Sequence, residues 1–132
     1  MNFRASFLIC QNADDNEPNI LFEKNKFGFY ELPTFEMEFG QYDVDKFVSE
    51  KFKYITGVDP IDKNGLGWIN LFLTSTIIYN EKYSFVYMCK VPDNLKIEKY
   101  EKIKMSSLLS SENFEEKYIS QVVYAFNNLY IR

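Results

Sequence analysis

Three carboxylates stand where they could share a cation or an attacking water. Glu36 and Glu38 lie two residues apart in a strand-like stretch, and Glu50 lies on the polar side of a helix-like stretch that follows. Alternation puts Glu36 and Glu38 on one face of a strand, and the helix could set Glu50 opposite them. Carboxylate oxygens gathered in this way suit a hard divalent cation. The competing reading is a solvated face on which Glu50 pairs with Lys46 or Lys53 at helical spacing. Lys51 and Lys53 could instead hold a phosphate directly, against the plainer view that they are surface lysines. Phe27, Phe29 and Tyr30 could stack on a nucleobase or fill a partner's pocket, and core packing competes with that role. Arg4 and Ser6 alternate with apolar neighbours near the start of the chain, so they could point into a ligand groove or across a solvent-facing sheet.

The residue types that are missing narrow the chemistry further. The 132 residues include no His, which removes imidazole acid/base catalysis, Ser-His and Cys-His nucleophile pairs and the commonest zinc ligand sets. Catalysis would have to use carboxylates, Lys, Tyr or metal-bound water. The balance of 15 basic against 19 acidic residues, without a long basic run, disfavours extended nucleic-acid binding. Cys10 and Cys89 both fall in apolar strand-like runs and read as buried free thiols rather than a disulfide framework. No apolar run approaches the roughly 20 residues of a membrane span. The start of the chain lacks the pattern of a secretory signal. The expectation is a cytoplasmic protein with no membrane partner.

These residues need a scaffold, and 132 residues at 46% apolar composition suit a single folded domain spanning residues 1–132. Phe3 to Cys10 reads as a strand. A polar turn over residues 11–18 separates it from a second strand, Asn19 to Glu23. Thr34 to Phe39 reads as a short strand with an acidic face. Val44, Phe47, Val48, Phe52 and Ile55 then recur at the three- and four-residue spacing of an amphipathic helix, with Asp43 as its cap and Gly57 as its end. After the Asn64-Gly65-Leu66-Gly67 loop, Trp68 to Ile78 and Tyr83 to Val91 read as a hairpin. Its Ile77, Ile78, Tyr79, Tyr83 and Tyr87 offer an aromatic surface for a homodimer, against routine cross-strand packing. Glu101 to Met105 reads as a short strand and the hydroxyl-rich segment 105–111 as a turn. Asn113 and Glu116 fit a capping box ahead of a helix carrying Phe114, Ile119, Val122, Val123, Phe126 and Tyr130 on one face.

The order of strands, helix, hairpin and helix, with a Leu-Pro ahead of a short strand and a helix ending in Gly-apolar, resembles the Nudix hydrolase family over nearly the whole chain. The family's box reads G-x5-E-x7-R-E-U-x-E-E-x-G-U, with U apolar, commonly after Leu-Pro-Gly. The matching positions here are Leu32, Pro33, Met37, Glu38 and Gly40, while Thr34 and Phe35 replace paired glycines and Gln41 replaces the first Glu. Anchoring on Gly57-Val58 needs one inserted residue after Gln41. It puts Phe52 at the apolar U, Glu50 at the Arg, Lys51 at the adjoining Glu, and Tyr54 and Ile55 at the acidic pair. The register without insertion keeps Glu50 as the box Glu but puts Lys53 and Tyr54 at the acidic pair.

The resemblance implies an α/β fold, a Nudix-like α/β/α sandwich with a mixed central sheet and two main helices. In the family the helix carboxylates hold Mg2+ or Mn2+ to neutralise a diphosphate and activate water. Replacing acids with Lys or Tyr removes hard ligands and adds positive charge where the ion would sit. The expectation is therefore a degenerate Nudix box and a domain without a cofactor. Such a domain has lost hydrolysis and binds a nucleotide-like small molecule or a protein partner. The alternative is a divergent Mg/Mn-dependent pyrophosphohydrolase of a nucleoside diphosphate linked to another group. Its catalytic and metal-ligating residues would be Glu38 and Glu50, with an acid such as Glu98 or Glu101 completing the set. An unrelated α+β interaction domain would be indicated by two helices that fail to sandwich the sheet.

Overall fold

The computed structural model describes residues 3–11, 18–38, 43–60, 71–79, 81–92, 94–108 and 113–130. The Phe39-Gly40-Gln41 end of the box-like segment, the Asn64-Gly65-Leu66-Gly67 loop, Trp68 and the end of the hydroxyl-rich turn lie outside these residues. Among the described residues the chain runs β1 (Arg4–Gln11), β2 (Asn19–Lys24), β3 (Tyr30–Glu31), β4 (Thr34–Glu36), α1 (Val44–Thr56), β5 (Phe72–Tyr79), β6 (Lys82–Lys90), β7 (Glu101–Lys104), α2 (Met105–Leu108) and α3 (Glu116–Tyr130).

The alternation of β1 organises the molecule. Leu8 and Cys10 point into a core built with α3, where Tyr118, Ile119, Val122, Ala125 and Phe126 are buried against Ile20, Phe22, Val86 and Met88. Ala5, Phe7 and Ile9 point the other way, into a core with Phe47, Val48, Phe52 and Ile55 of α1. The two helices therefore sandwich the sheet, as the period-two pattern of one strand requires when both of its faces are covered. Strand order is β3-β2-β1-β6-β5, with β4 also pairing β1 and β7 also pairing β2. β1 and β6 are parallel and the other pairings antiparallel, so the sheet is mixed.

α1 begins and ends where its sequence says. The Asp43 carboxylate accepts the Lys46 backbone N–H at 3.0 Å, and Gly57 closes the helix at φ +79°, a left-handed conformation that suits glycine. α3 departs from expectation: its first helical residue is Glu116, Glu115 stands before it, and the Glu115 carbonyl accepts from Ile119 N–H. Asn113 lies in a turn ahead of the helix, and its backbone carbonyl accepts the Tyr30 N–H at 2.8 Å. β4 ends at Glu36, short of the expected strand, while Met37 N–H still donates to Phe3 carbonyl at 2.8 Å. Residues 105–108 form a short helix rather than a turn. Both cysteines are buried thiols outside any disulfide. Among the described residues no helix is long and apolar enough to cross a membrane.

Candidate functional site

The Leu32-Pro33 segment between β3 and β4 is tied both to helix α3 and to strand β1. Leu32 N–H donates to the Tyr118 hydroxyl of α3 at 2.9 Å, and Pro33 carbonyl accepts Phe7 N–H of β1 at 2.9 Å. This anchoring sets the registers of β4 on β1, which are Arg4 with Glu36, Ala5 with Phe35, and Ser6 with Thr34. Arg4, Ser6, Thr34 and Glu36 therefore lie on the face away from α1, and Phe35 lies on the α1 face.

These registers place the candidate residues of the sequence one by one. Ser6 is buried, and its hydroxyl shares a 2.7 Å hydrogen bond with the Thr34 hydroxyl, which also donates to Leu32 carbonyl. Arg4 is half-buried on the same face. Glu36 cannot face Glu50 across the sheet, since α1 packs on the other side. Glu38 and Glu50 are exposed. Glu101 is in register with Phe22, whose ring is in the α3 core, so it too is on the face opposite α1. Its carboxylate accepts the Tyr30 hydroxyl at 2.5 Å. Glu98 is exposed in the segment before β7. Among the described residues no three acidic or thiol side chains gather into a group that could hold a metal ion.

The aromatic candidates separate as well. Tyr30 packs on Phe22 and Phe114, with ring centroids 6.4 and 5.1 Å away, so it is part of the α3 core. Phe27 is exposed at the tip of a turn in which the Asn25 side chain accepts from both Phe27 N–H and Phe29 N–H. Gly28, at φ +84°, permits that turn, and Phe29 is half-buried. Lys53 pairs with Asp59 at 3.5 Å rather than with Glu50. In the hairpin Ile77 is core, Tyr87 packs on Phe7, and Ile78 and Tyr83 are exposed.

On the α1 face the structure brings together side chains that the pattern of the sequence did not single out as a unit. Lys51 Nζ lies 5.5 Å from the Phe35 ring centroid and 5.6 Å from that of Phe47. Phe35 meets Tyr54 edge to face at 5.9 Å, and Lys99 Nζ lies 3.9 Å from the Tyr54 ring. Tyr100 is buried beside them, and burial, aided by the charge of Glu23, pushes its phenol up to about 12. Glu23 is itself raised, by desolvation first and then by Glu31 across the β2–β3 ladder. The signal for this group was the i, i+3 spacing of Lys51 and Tyr54 on one helix face. Lys99 and Tyr100 had none, because only the tertiary fold carries them there.

No family model matches the sequence, and no curated protein matches it either. Solved structures do match in shape. The C-terminal domain of mouse MUTYH, in its complex with human PCNA, superposes with a TM-score of 0.70 at 13% identity, over 97% of this chain and 88% of that one. A Nudix-family hydrolase from Clostridium perfringens gives 0.63 at 13% identity, over 97% of each chain. The Nudix domain of Shewanella oneidensis NrtR, complexed with ADP ribose, gives 0.57 at 11% identity, over 96% of this chain and 87% of that one. Together with the helix–sheet–helix sandwich and its mixed sheet, these likenesses show that the chain has the Nudix fold.

Proposed function

We propose that this chain is a Nudix-fold binding module that does not carry out metal-dependent hydrolysis and that takes up a nucleotide-like ligand at the α1 face. The observation that carries this reading is the state of the helix positions that a Nudix enzyme fills with acids. Gly57 ends α1 in the left-handed conformation, which supports the register anchored on it. In that register Lys51 lies over aromatic rings, Tyr54 packs on Phe35, and Ile55 is in the core. Ammonium, phenol and alkyl groups are not hard anionic ligands, and a lysine there repels a divalent cation. Among the described residues no three acidic or thiol side chains gather into a group that could hold a metal ion, and Glu101 lies on the face of the sheet opposite α1. The NrtR domain solved with ADP ribose supports a ligand of the nucleotide class on this fold.

A panel of nucleoside diphosphates linked to other groups, assayed with Mg2+ and with Mn2+ beside a calorimetric metal titration, tests the proposal. The expected result is no turnover and no tight metal binding. Turnover near about 1 s−1 that disappears in Glu50→Gln would establish the hydrolase instead.

A protein partner is the second reading. It is favoured by the exposed Leu73, Ile78, Tyr83 and Phe85 on the β5–β6 hairpin, with a second copy of the chain as the partner. The MUTYH domain complexed with PCNA supports protein association on the same fold.

A further inference from the structure

Three departures from the Nudix box meet at the Phe35 ring in the folded chain. Phe35 stands where the motif has a glycine, and Lys51 and Tyr54 stand at helix acids. The Lys51 ammonium lies over the Phe35 ring, and the Phe35 ring meets that of Tyr54. Lys99, from the segment leading into β7, closes the row by setting its ammonium over Tyr54 at 3.9 Å. The result is a continuous line of ammonium, ring, ring and ammonium along the α1 face. Loss of acids alone would leave the replacing side chains unrelated. Here they form one contiguous surface.

The chemistry of that surface follows from what a ring can do to a cation. The quadrupole of an aromatic face attracts an ammonium and fixes its position, but it carries no net charge. Lys51 and Lys99 are thus held in place by rings that leave their charge intact. Lys99 is exposed, Lys51 is half-buried, and Tyr54 shows 57% of its surface to solvent. Two positioned ammonium groups flanking an exposed ring complement an anionic ligand with a planar part.

We propose that this row binds the phosphate groups of a nucleotide-like ligand directly, with Lys51 and Lys99 neutralising oxygens that a divalent ion would otherwise hold, and with Tyr54 contacting the planar base. This rests on the reading of the chain as a binding module and names how that module holds its ligand.

Calorimetry on the full chain in EDTA, with inorganic pyrophosphate and with ADP as probes, tests it. Both probes should bind without metal, more weakly as salt rises. Lys51→Met and Lys99→Met should each weaken binding by about tenfold, while Lys51→Arg retains it. Tyr54→Ala should weaken ADP but leave pyrophosphate little changed. Lys26→Met removes the same kind of cation–ring contact at Phe27, away from the row, and should change nothing. If Lys51→Met fails to fold, the exposed Lys99→Met decides the outcome. The proposal is overturned by the absence of heat up to about 5 mM of either probe, by affinity that both methionine variants retain, or by binding that needs Mg2+. Metal-dependent turnover would instead overturn the binding-module reading itself, so the two failures are distinguishable.

Discussion

Tyr100 brings a phenol into the α1 core beside Glu23, and both burial and that carboxylate oppose its ionisation. Tyr87 is raised by burial and by Asp45, and Tyr30 chiefly by the hydrogen bond it donates to Glu101. A phenol whose folded pKa is raised binds its proton more tightly in the folded than in the unfolded chain. Its contribution to stability is whole below the unfolded value of about 10 and is lost as pH rises through the folded one. For Tyr100 that loss runs up to about pH 12. The melting temperature should accordingly fall steeply across this alkaline window. Tyr100→Phe, which cannot ionise, should show a shallower fall when melting is followed by circular dichroism against pH. An equally steep fall in the variant would remove Tyr100 as a source. The sequence offered no sign of this residue, since a tyrosine ahead of a short strand reads as neither core nor site until Glu23 is known to sit beside it.

Helix α1 was legible in full because its information is local. The three- and four-residue spacing, the Asp43 cap and the Gly57 terminus all lie within the element, and the structure uses each of them. Readings that depended on long-range pairing fared differently. Ser6 and Glu36 were placed on useful faces by alternation, but alternation fixes which residues share a face and not which face the helix covers. Asn113 has the residue type of a cap, yet the first helical residue is Glu116, and the Asn113 backbone carbonyl accepts from Tyr30 across the fold. β5 shows the same dependence. Among the described strands it lies at the edge of the sheet, and its Phe72–Tyr79 sequence has no charge and no proline to discourage a further strand. Gln121 of α3 supplies the protection instead. Its side-chain carbonyl accepts Ile78 N–H at 2.8 Å, and its amide donates to Ile78 carbonyl at 2.9 Å, so it takes the place of a neighbouring strand. Gln121→Ala should leave that edge open and yield concentration-dependent aggregation in light scattering, with the melting temperature lowered by a few degrees at most. A variant as monodisperse as the parent would mean that the edge is guarded by something other than this amide.

At the scale of the whole molecule, large apolar side chains of the described residues are exposed at the β5–β6 end of the sheet. The pairing of Leu73 with Tyr87, Thr76 with Phe85 and Ile78 with Tyr83 sets all six side chains on the α1 side of the hairpin. None of them is charged, although the chain carries a net −4. α1 covers only part of this face, because its core contacts reach β1 and Tyr87 but leave Leu73 57%, Ile78 50% and Tyr83 52% exposed. Phe85 is also exposed, and Phe3 stacks against it at 5.2 Å. An uncharged patch suits burial against its own copy, since a two-fold axis brings apolar surface to apolar surface without like charges meeting. Sedimentation equilibrium should therefore show reversible dimers of the 15.7 kDa chain that dissociate on dilution. The double substitution Leu73→Lys with Tyr83→Lys places two cations per chain in the contact and should leave a monomer at every concentration. Its melting temperature in dilute solution should be nearly unchanged, because both side chains already face water in the single chain. Equal dimerisation of the parent and the double variant would move the contact off the hairpin. A parent that stays monomeric at high concentration would reject a second copy as the occupant of this face.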